Sequence, residues 1–275
     1  MAVACGGCES GSLKKAEESD SILAIFSGPT PADAVEAMVD PHDPDRRLRG
    51  TALVAFAPFG GEELYVKYYV NQIQTDEDPG VRAVAARALS FHGSPEHAPL
   101  IVPLLDNPDR NVRLEAARAL QRIHNPAAIE ELIKHTRPER FVDTTRVDLV
   151  GTRVGESEAM VRAECCTALG QYAEPRVLQA LIGALDDQQL SVTRAASASL
   201  STLTGQEFGE DQRRWLTWLA GNNDPFSERR EYLYPAFSRD RKWVEYIPLV
   251  PPPPNETPAP PAGMGSLSIK TENIK

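Results

Sequence analysis

The chain has 275 residues, with 29 Lys and Arg against 39 Asp and Glu, for a formal charge of −10. Hydrophobic residues make up 41%, enough at this length for a sizeable core in one domain or two small ones, and no run of 18 apolar residues exists to form a membrane-spanning helix. Four cysteines are too few for a disulfide-stapled scaffold, and the acidic balance argues against nucleic-acid binding, which needs a surplus of Lys and Arg to neutralise phosphate.

Residues 1–20 are rich in Ser, Gly and Glu and read as a flexible segment ahead of a folded region over 21–221. Ala2–Cys8 is similar to the cleavage end of a bacterial lipoprotein signal, with a small residue before Cys5 and a polar tether behind it. Only four residues precede Cys5, so the basic and apolar parts of such a signal would have to be encoded upstream. Two readings stand side by side: an exported chain lipid-anchored through Cys5, or a cytoplasmic chain with an ordinary terminus. Cys5 and Cys8 as a metal or redox pair would lack a second ligand pair or a following βαβ pattern.

Self-similarity organises the middle of the chain. Asp78-Pro79-Gly80-Val81-Arg82-Ala83-Val84-Ala85-Ala86-Arg87-Ala88-Leu89 recurs at Asp109–Leu120 and, without the leading aspartate, at Met160–Leu169. A weaker copy spans Val192–Leu200, and Asp45–Phe56 fits the same frame upstream. Anchored on Leu48, Val81, Val112, Val161 and Val192, the steps are 33, 31, 49 and 31 residues, a tandem repeat carrying one insertion. Each unit reads as two helices. In the first, Val81, Ala85, Ala88 and Leu89 share one helical face, and Asp78 before Pro79 is a capping residue followed by proline at the first helical position. The second follows a Pro or Gly turn, at Pro95–Leu105, Pro126–Ile133 and Pro175–Leu185. Thr30–Val39 reads as the second helix of a truncated first unit. Neither helix of a pair can bury its face alone, so the units must stack, which predicts an all-α fold: an α-solenoid of about five helix pairs.

The pattern Asp-Pro-x-Val-Arg-x-x-Ala-Ala-x-Ala-Leu followed by a second helix resembles the HEAT-like repeat of the phycobilisome-lyase type, over roughly Thr30–Gly221. The segment from Leu203 to Leu219, with Trp215 and Trp218, resembles a terminal element of bacterial, planctomycete-type HEAT-like proteins. Among HEAT-like proteins the resemblance also reaches deoxyhypusine hydroxylases, whose di-iron site rests on His-Glu dipeptides. This chain has none, and it offers no cysteine or histidine pattern that matches a chromophore lyase.

The long step houses an insertion at 136–157, where Arg137, Arg140, Arg146 and Arg153 alternate with Asp143, Asp148 and Glu156. Insertions leave a solenoid on one face, which makes these arginines the candidate partner contacts; a solvated loop is the plainer reading. Arg49, Arg82, Arg113 and Arg162 follow the anchor in each unit and are expected to form a structural ladder with acidic residues such as Asp78 and Asp109. Cys165 and Cys166 stand where other units carry Ala-Ala, so they are expected to pack as small apolar groups. The five histidines, His42, His92, His97, His124 and His135, lie in no zinc spacing and read as surface or turn residues.

Over 222–250, Phe226, Tyr232, Tyr234, Phe237, Trp243 and Tyr246 predict a segment that folds back and closes the end of the core. Residues 251–275, opening on Pro251–Pro254, read as a disordered or polyproline tail that adds nothing to stability. No phosphate loop, nucleophile elbow or catalytic carboxylate pair stands out, and no cofactor is expected. The sequence therefore points to a non-enzymatic scaffold for another protein, the acidic balance favouring a basic one, with a lyase- or hydroxylase-related enzyme or accessory role as the alternative.

Overall fold

A computed structural model describes residues 30–138, 140–142, 152–236, 239–240, 242–246 and 255–265. Cys5, Arg146 and Phe237 lie outside the described residues, as do Asp143 and Asp148.

Aspartates set the frame of the first units. Asp43 accepts hydrogen bonds from the Asp45 and Arg46 amides, Asp78 from Val81, and Asp109 from Asn111 and Val112. The helices they start are α2 (Pro44–Phe56), α4 (Pro79–His92) and α6 (Arg110–Arg122), preceded by α1 (Pro31–Met38), which Thr30 and Asp33 close with a capping box. The corresponding helices of the last two units are α8 (Ala159–Leu169) and α10 (Leu190–Thr204). Second helices alternate with these: α3 (Glu63–Thr75), α5 (Ala98–Ile101), α7 (Ile129–Lys134), α9 (Pro175–Ala184) and α11 (Gln212–Gly221). The second helix expected over Pro95–Leu105 is broken. It forms a 3-10 turn at Pro95–His97, the single α-turn of α5, and a second 3-10 turn at Val102–Asp106. Pro99 and Pro103 have no N–H to donate into a longer ladder.

First helices stack side by side in the order α2, α4, α6, α8, α10, and second helices line up beside them, giving an α-solenoid of five pairs after α1. Small residues let the stack close. Seven and eight positions after each cap lie Gly50 and Thr51, Ala85 and Ala86, Ala116 and Ala117, then Cys165 and Cys166, all buried. A Cβ at Gly50 would fall on the α1 backbone at Ala34 and Met38, so only glycine permits that approach. Burial pushes the Cys166 thiol up to about 12 and raises that of Cys165 as well, as suits packing groups rather than thiolates. Val54, Leu89, Leu120, Leu169 and Leu200 share one position and are fully buried along the solenoid axis.

Four positions after the caps at Asp43, Asp109 and Glu158, an arginine reaches in two directions. Arg47 donates to both Asp76 oxygens at 2.8 and 2.9 Å and to the Asp40 carbonyl. Arg113 grips Glu156 at 2.6 and 3.0 Å and the Asn107 carbonyl, while Arg162 grips Asp187 at 2.7 and 3.0 Å and the Glu156 carbonyl. Each carboxylate lies two residues ahead of the next unit's cap and also accepts that cap's amide. The ladder thus differs from expectation in two ways. Asp78 and Asp109 are spent on helix caps, and Arg49, two residues out of register and exposed, is replaced by Arg47, because the cap at Asp43 rather than the apolar Leu48 fixes the first unit's frame. Arg82 reaches only the Asp76 carbonyl, since Asn107 stands where its carboxylate would be. A second ladder supports that junction: Arg87 to Glu115, Glu115 to Arg118, and Arg118 with Gln121 to Glu164.

The last unit is closed by Trp215, fully buried with its indole N–H on the Gly209 carbonyl, and by Phe208 edge-on to it at 4.9 Å. Residues after Gly221 first pack on that end, with Phe226 against the core and Glu228 held by Gln206, and then run back over the first helices. Arg230 donates its amide to the Thr202 carbonyl, Tyr232 is buried, and Tyr234 lies back over α6 with its ring 4.4 Å from the Arg122 guanidinium. Trp243 and Tyr246 stand 80% and 70% exposed, so these two aromatics do not enter the core. Residues 255–265 depart from the expected spacer. The Ala262 amide donates to the Arg122 carbonyl at 2.8 Å, the His124 amide to the Ala262 carbonyl at 2.9 Å, and Glu256 pairs with Arg122. The reason is that α6 ends with an extended Ile123, leaving backbone groups on either side of it for an extended chain to pair with.

Replacing Leu89 or Leu120 with Ala is expected to cost about 2–5 kcal/mol in denaturant unfolding, as for a leucine with no room to collapse around it. Removing residues 251–275 is expected to lower the melting temperature; an unchanged transition would show that the 255–265 contacts add nothing.

Candidate functional site

The long step between the third and fourth units resolves into a hairpin of β1 (Arg140–Val142) and β2 (Thr152–Val154), antiparallel, with Arg140 opposite Val154 and Phe141 opposite Arg153. Its base belongs to the solenoid. Thr136 and Glu156 are buried, and the Glu156 amide donates to the Arg137 carbonyl at 2.8 Å. The insertion proper is therefore narrower than 136–157. Of its four arginines, Arg137 is exposed beside a cavity of about 460 Å³ shared with α9, while Arg140 and Arg153 occupy opposite strands of one hairpin.

Beside the hairpin base lies a cleft of about 560 Å³, lined by Asp106, Asp109, Arg110, Arg113, His135 and Glu156 among others. His135, only 3% exposed, sits at its back between two carboxylates, Nε2 3.1 Å from Asp106 Oδ1 and Nδ1 3.5 Å from Glu156 Oε2. The longer separation is an electrostatic contact rather than a formed hydrogen bond. Of the two readings given for the histidines, surface or turn, His135 takes the turn after α7, buried rather than exposed. The other histidines serve local structure: His92 Nε2 lies 2.7 Å from the Ala55 carbonyl, His97 accepts the Ser94 amide, and His124 stacks on Tyr172 at 4.8 Å. His42 is exposed.

Burial would raise the Glu156 carboxyl, but His135 and the Arg113 guanidinium outweigh it and hold the group at about 2. Asp106, Glu131 and His135 bring three ligand-type atoms within 4.8 Å of one another. The Lys134 ammonium already lies 2.8 Å from both Asp106 oxygens and 3.0 Å from Glu131, supplying the positive charge those oxygens call for. It also depresses the Asp106 carboxyl against the opposing effect of burial. Ion pairs take up much of the cleft's charge: Asp106 and Glu131 face Lys134, Glu156 faces Arg113, and the Ser157 hydroxyl donates to Glu156 at 3.4 Å. Sequence reasoning did not assemble Asp106, Lys134, His135 and Glu156. The one sequence signal was an acidic or amide residue two places ahead of each cap, at Asp76, Asn107, Glu156 and Asp187.

Residues 66–146 match the family model described as HEAT repeats, the repeat class that the sequence pattern resembles. Among solved structures, the complex of CpcE and CpcF of phycocyanin lyase from Nostoc sp. PCC7120 is similar at 21% identity and a TM-score of 0.49, covering 72% of this chain and 73% of that one. An engineered protein is similar at 19% identity and a TM-score of 0.44, over 70% of this chain and 92% of that one. Human deoxyhypusine hydroxylase in complex with glycerol is similar at 17% identity and a TM-score of 0.26, over 69% and 93%. No curated protein sequence matches the chain. Among the described residues, no helix is long and apolar enough to cross a membrane.

Because the Glu156 carboxyl titrates at about 2 when folded, against 4.5 for the ordinary group, its contribution to stability is complete above pH 4.5 and is lost as pH falls towards 2. Glu156→Gln is therefore expected to be much less stable than the parent at pH 7, with the gap narrowing between pH 4.5 and 2 in urea titrations. Arg113→Ala, which leaves that buried carboxylate without its guanidinium, is expected to cost roughly 3–5 kcal/mol at pH 7 by the same measurement.

Proposed function

We propose that the chain is a non-enzymatic scaffold that binds another protein, with the hairpin between α7 and α8 as its specific contact. The observation that carries this reading is that stacking continues across the insertion. α6 packs on α8 and Arg113 reaches Glu156, so the solenoid does not use the hairpin to hold itself together. A projecting element that packing does not require is free to serve recognition. Arg137, Arg140, Arg146 and Arg153 are its proposed contacts, since guanidinium groups pair bidentately with carboxylates and suit interfaces. The net charge of −10 steers a basic partner over longer range. Asp106, Lys134, Arg113 and Glu156 of the neighbouring cleft are paired with one another, and the buried thiols are pushed away from the thiolate, which supports binding over catalysis.

Crosslinked pull-downs from native cells, with the full chain and a version in which 140–154 is replaced by a short turn, test this reading. Thr136 and Glu156 must stay in both baits to preserve the fold. A partner held by the full chain and lost with the hairpin is expected; no partner with either bait would overturn the scaffold assignment.

A further inference from the structure

The first-helix face of this solenoid is already occupied by an extended peptide, the chain's own residues 255–265. Ile123 and Ala262 form a parallel bridge, in which the Ala262 amide donates to the Arg122 carbonyl and the His124 amide to the Ala262 carbonyl. The Arg122 guanidinium is sandwiched between the Phe91 ring at 4.7 Å and the Tyr234 ring at 4.4 Å, and is thereby aimed at the Glu256 carboxylate. Pro261 is buried. Gly263, at φ 85°, lies where a Cβ would strike the Pro95 ring. The Tyr234 amide donates to the Ala259 carbonyl at 3.1 Å, so the returning segment forms the other wall.

These contacts read very little of the peptide's identity. Backbone pairing holds it, while a carboxylate at 256, a proline at 261 and a glycine at 263 are the features the site senses. The segment also leaves the face partly open. A channel of about 560 Å³ runs along it, walled by Phe56, Phe91, Arg87, Arg118, Pro235 and Glu256. Phe56 is 65% exposed there and packs on Phe91 at 5.3 Å between centroids.

We propose that the end of α6, centred on Arg122, is a docking site for an extended, proline-rich segment of a partner protein that carries a carboxylate five residues ahead of a proline, and that residues 255–265 hold this site in cis. The proposal rests on the scaffold reading and gives its partner a chemistry. A covalently attached occupant competes at an effective concentration on the order of millimolar, so a partner segment wins only when presented at high local density or when the cis segment is loosened.

The test uses the full chain and a labelled synthetic peptide of residues 251–265, followed by fluorescence anisotropy. In one variant Ala262→Pro removes the amide that donates to Arg122 and Glu256→Lys sets like charges together. In a second, Gly263→Ala alone loosens the segment without touching α6. Both variants should retain the helical circular dichroism of the parent and bind the peptide at least about tenfold more tightly than it does, as removal of the cis competitor requires. Adding Arg122→Ala, or placing Lys at 256 in the peptide, should abolish that gain. Folded variants that bind no better than the parent would overturn the proposal. So would a gain indifferent to Arg122, or refusal of the peptide with dimerisation of the chain, which would assign the face to a second copy's tail. The hairpin pull-down reads a different surface, so failure here with the hairpin-dependent partner retained leaves the scaffold reading standing.

Discussion

Three units of this solenoid, the first, third and fourth, are tied to the next by an arginine four residues into the first helix. That side chain binds a carbonyl in the turn before its own helix and a carboxylate just ahead of the next one, as Arg47, Arg113 and Arg162 show. A guanidinium has enough donors in a fixed fork to do both at once, which a lysine does not. Desolvation offsets much of what a buried ion pair gains, so its effect is chiefly directional: it sets how one helix sits on its neighbour. The apolar contacts supply most of the free energy, but leucine and alanine faces tolerate sliding that a two-pronged clamp does not.

The clamp explains how the repeat survives its interruption. Arg113 finds its carboxylate at Glu156, on the far side of the hairpin, 43 residues away in sequence. The third and fourth units therefore stack as if contiguous, and the additional residues leave from between His135 and Glu156 without disturbing the core. The same geometry draws His135 in between Asp106 and Glu156 and gives the hairpin a rigid, ion-paired base. Where Asn107 replaces the carboxylate and Arg82 loses its second partner, the junction of α4 and α6 depends instead on Arg87 and Glu115.

The returning C-terminal segment gives the molecule two distinct surfaces. The base of the hairpin lies beside the second helices, next to α9, and the extended residues 255–265 cover part of the face formed by the first helices. Covering that face settles the exposed backbone at the end of α6 and the stacked Arg122. A solenoid's stacked face is its largest regular surface, and here the chain itself covers part of it.

The repeat, its capped helix starts and its small-residue positions were legible in the sequence because caps and helical periodicity act over a few residues. Asp78, Pro79, Ala85 and Leu89 announce their roles to their immediate neighbours, and Cys165 and Cys166 could be placed by register alone. Assigning the ladder to Arg49 failed at the one unit where an apolar residue, Leu48, imitates the repeat's anchor while the capping Asp43 fixes the real frame. His135 between two carboxylates, and a proline-rich tail docked on Arg122, had no local signature. Glu256 and Arg122 are 134 residues apart, and nothing in either neighbourhood refers to the other. Local chemistry determined the helices and their order; the pairings that build the cleft and cover the stacked face were decided only when packing brought distant charges and open backbone groups within hydrogen-bonding reach.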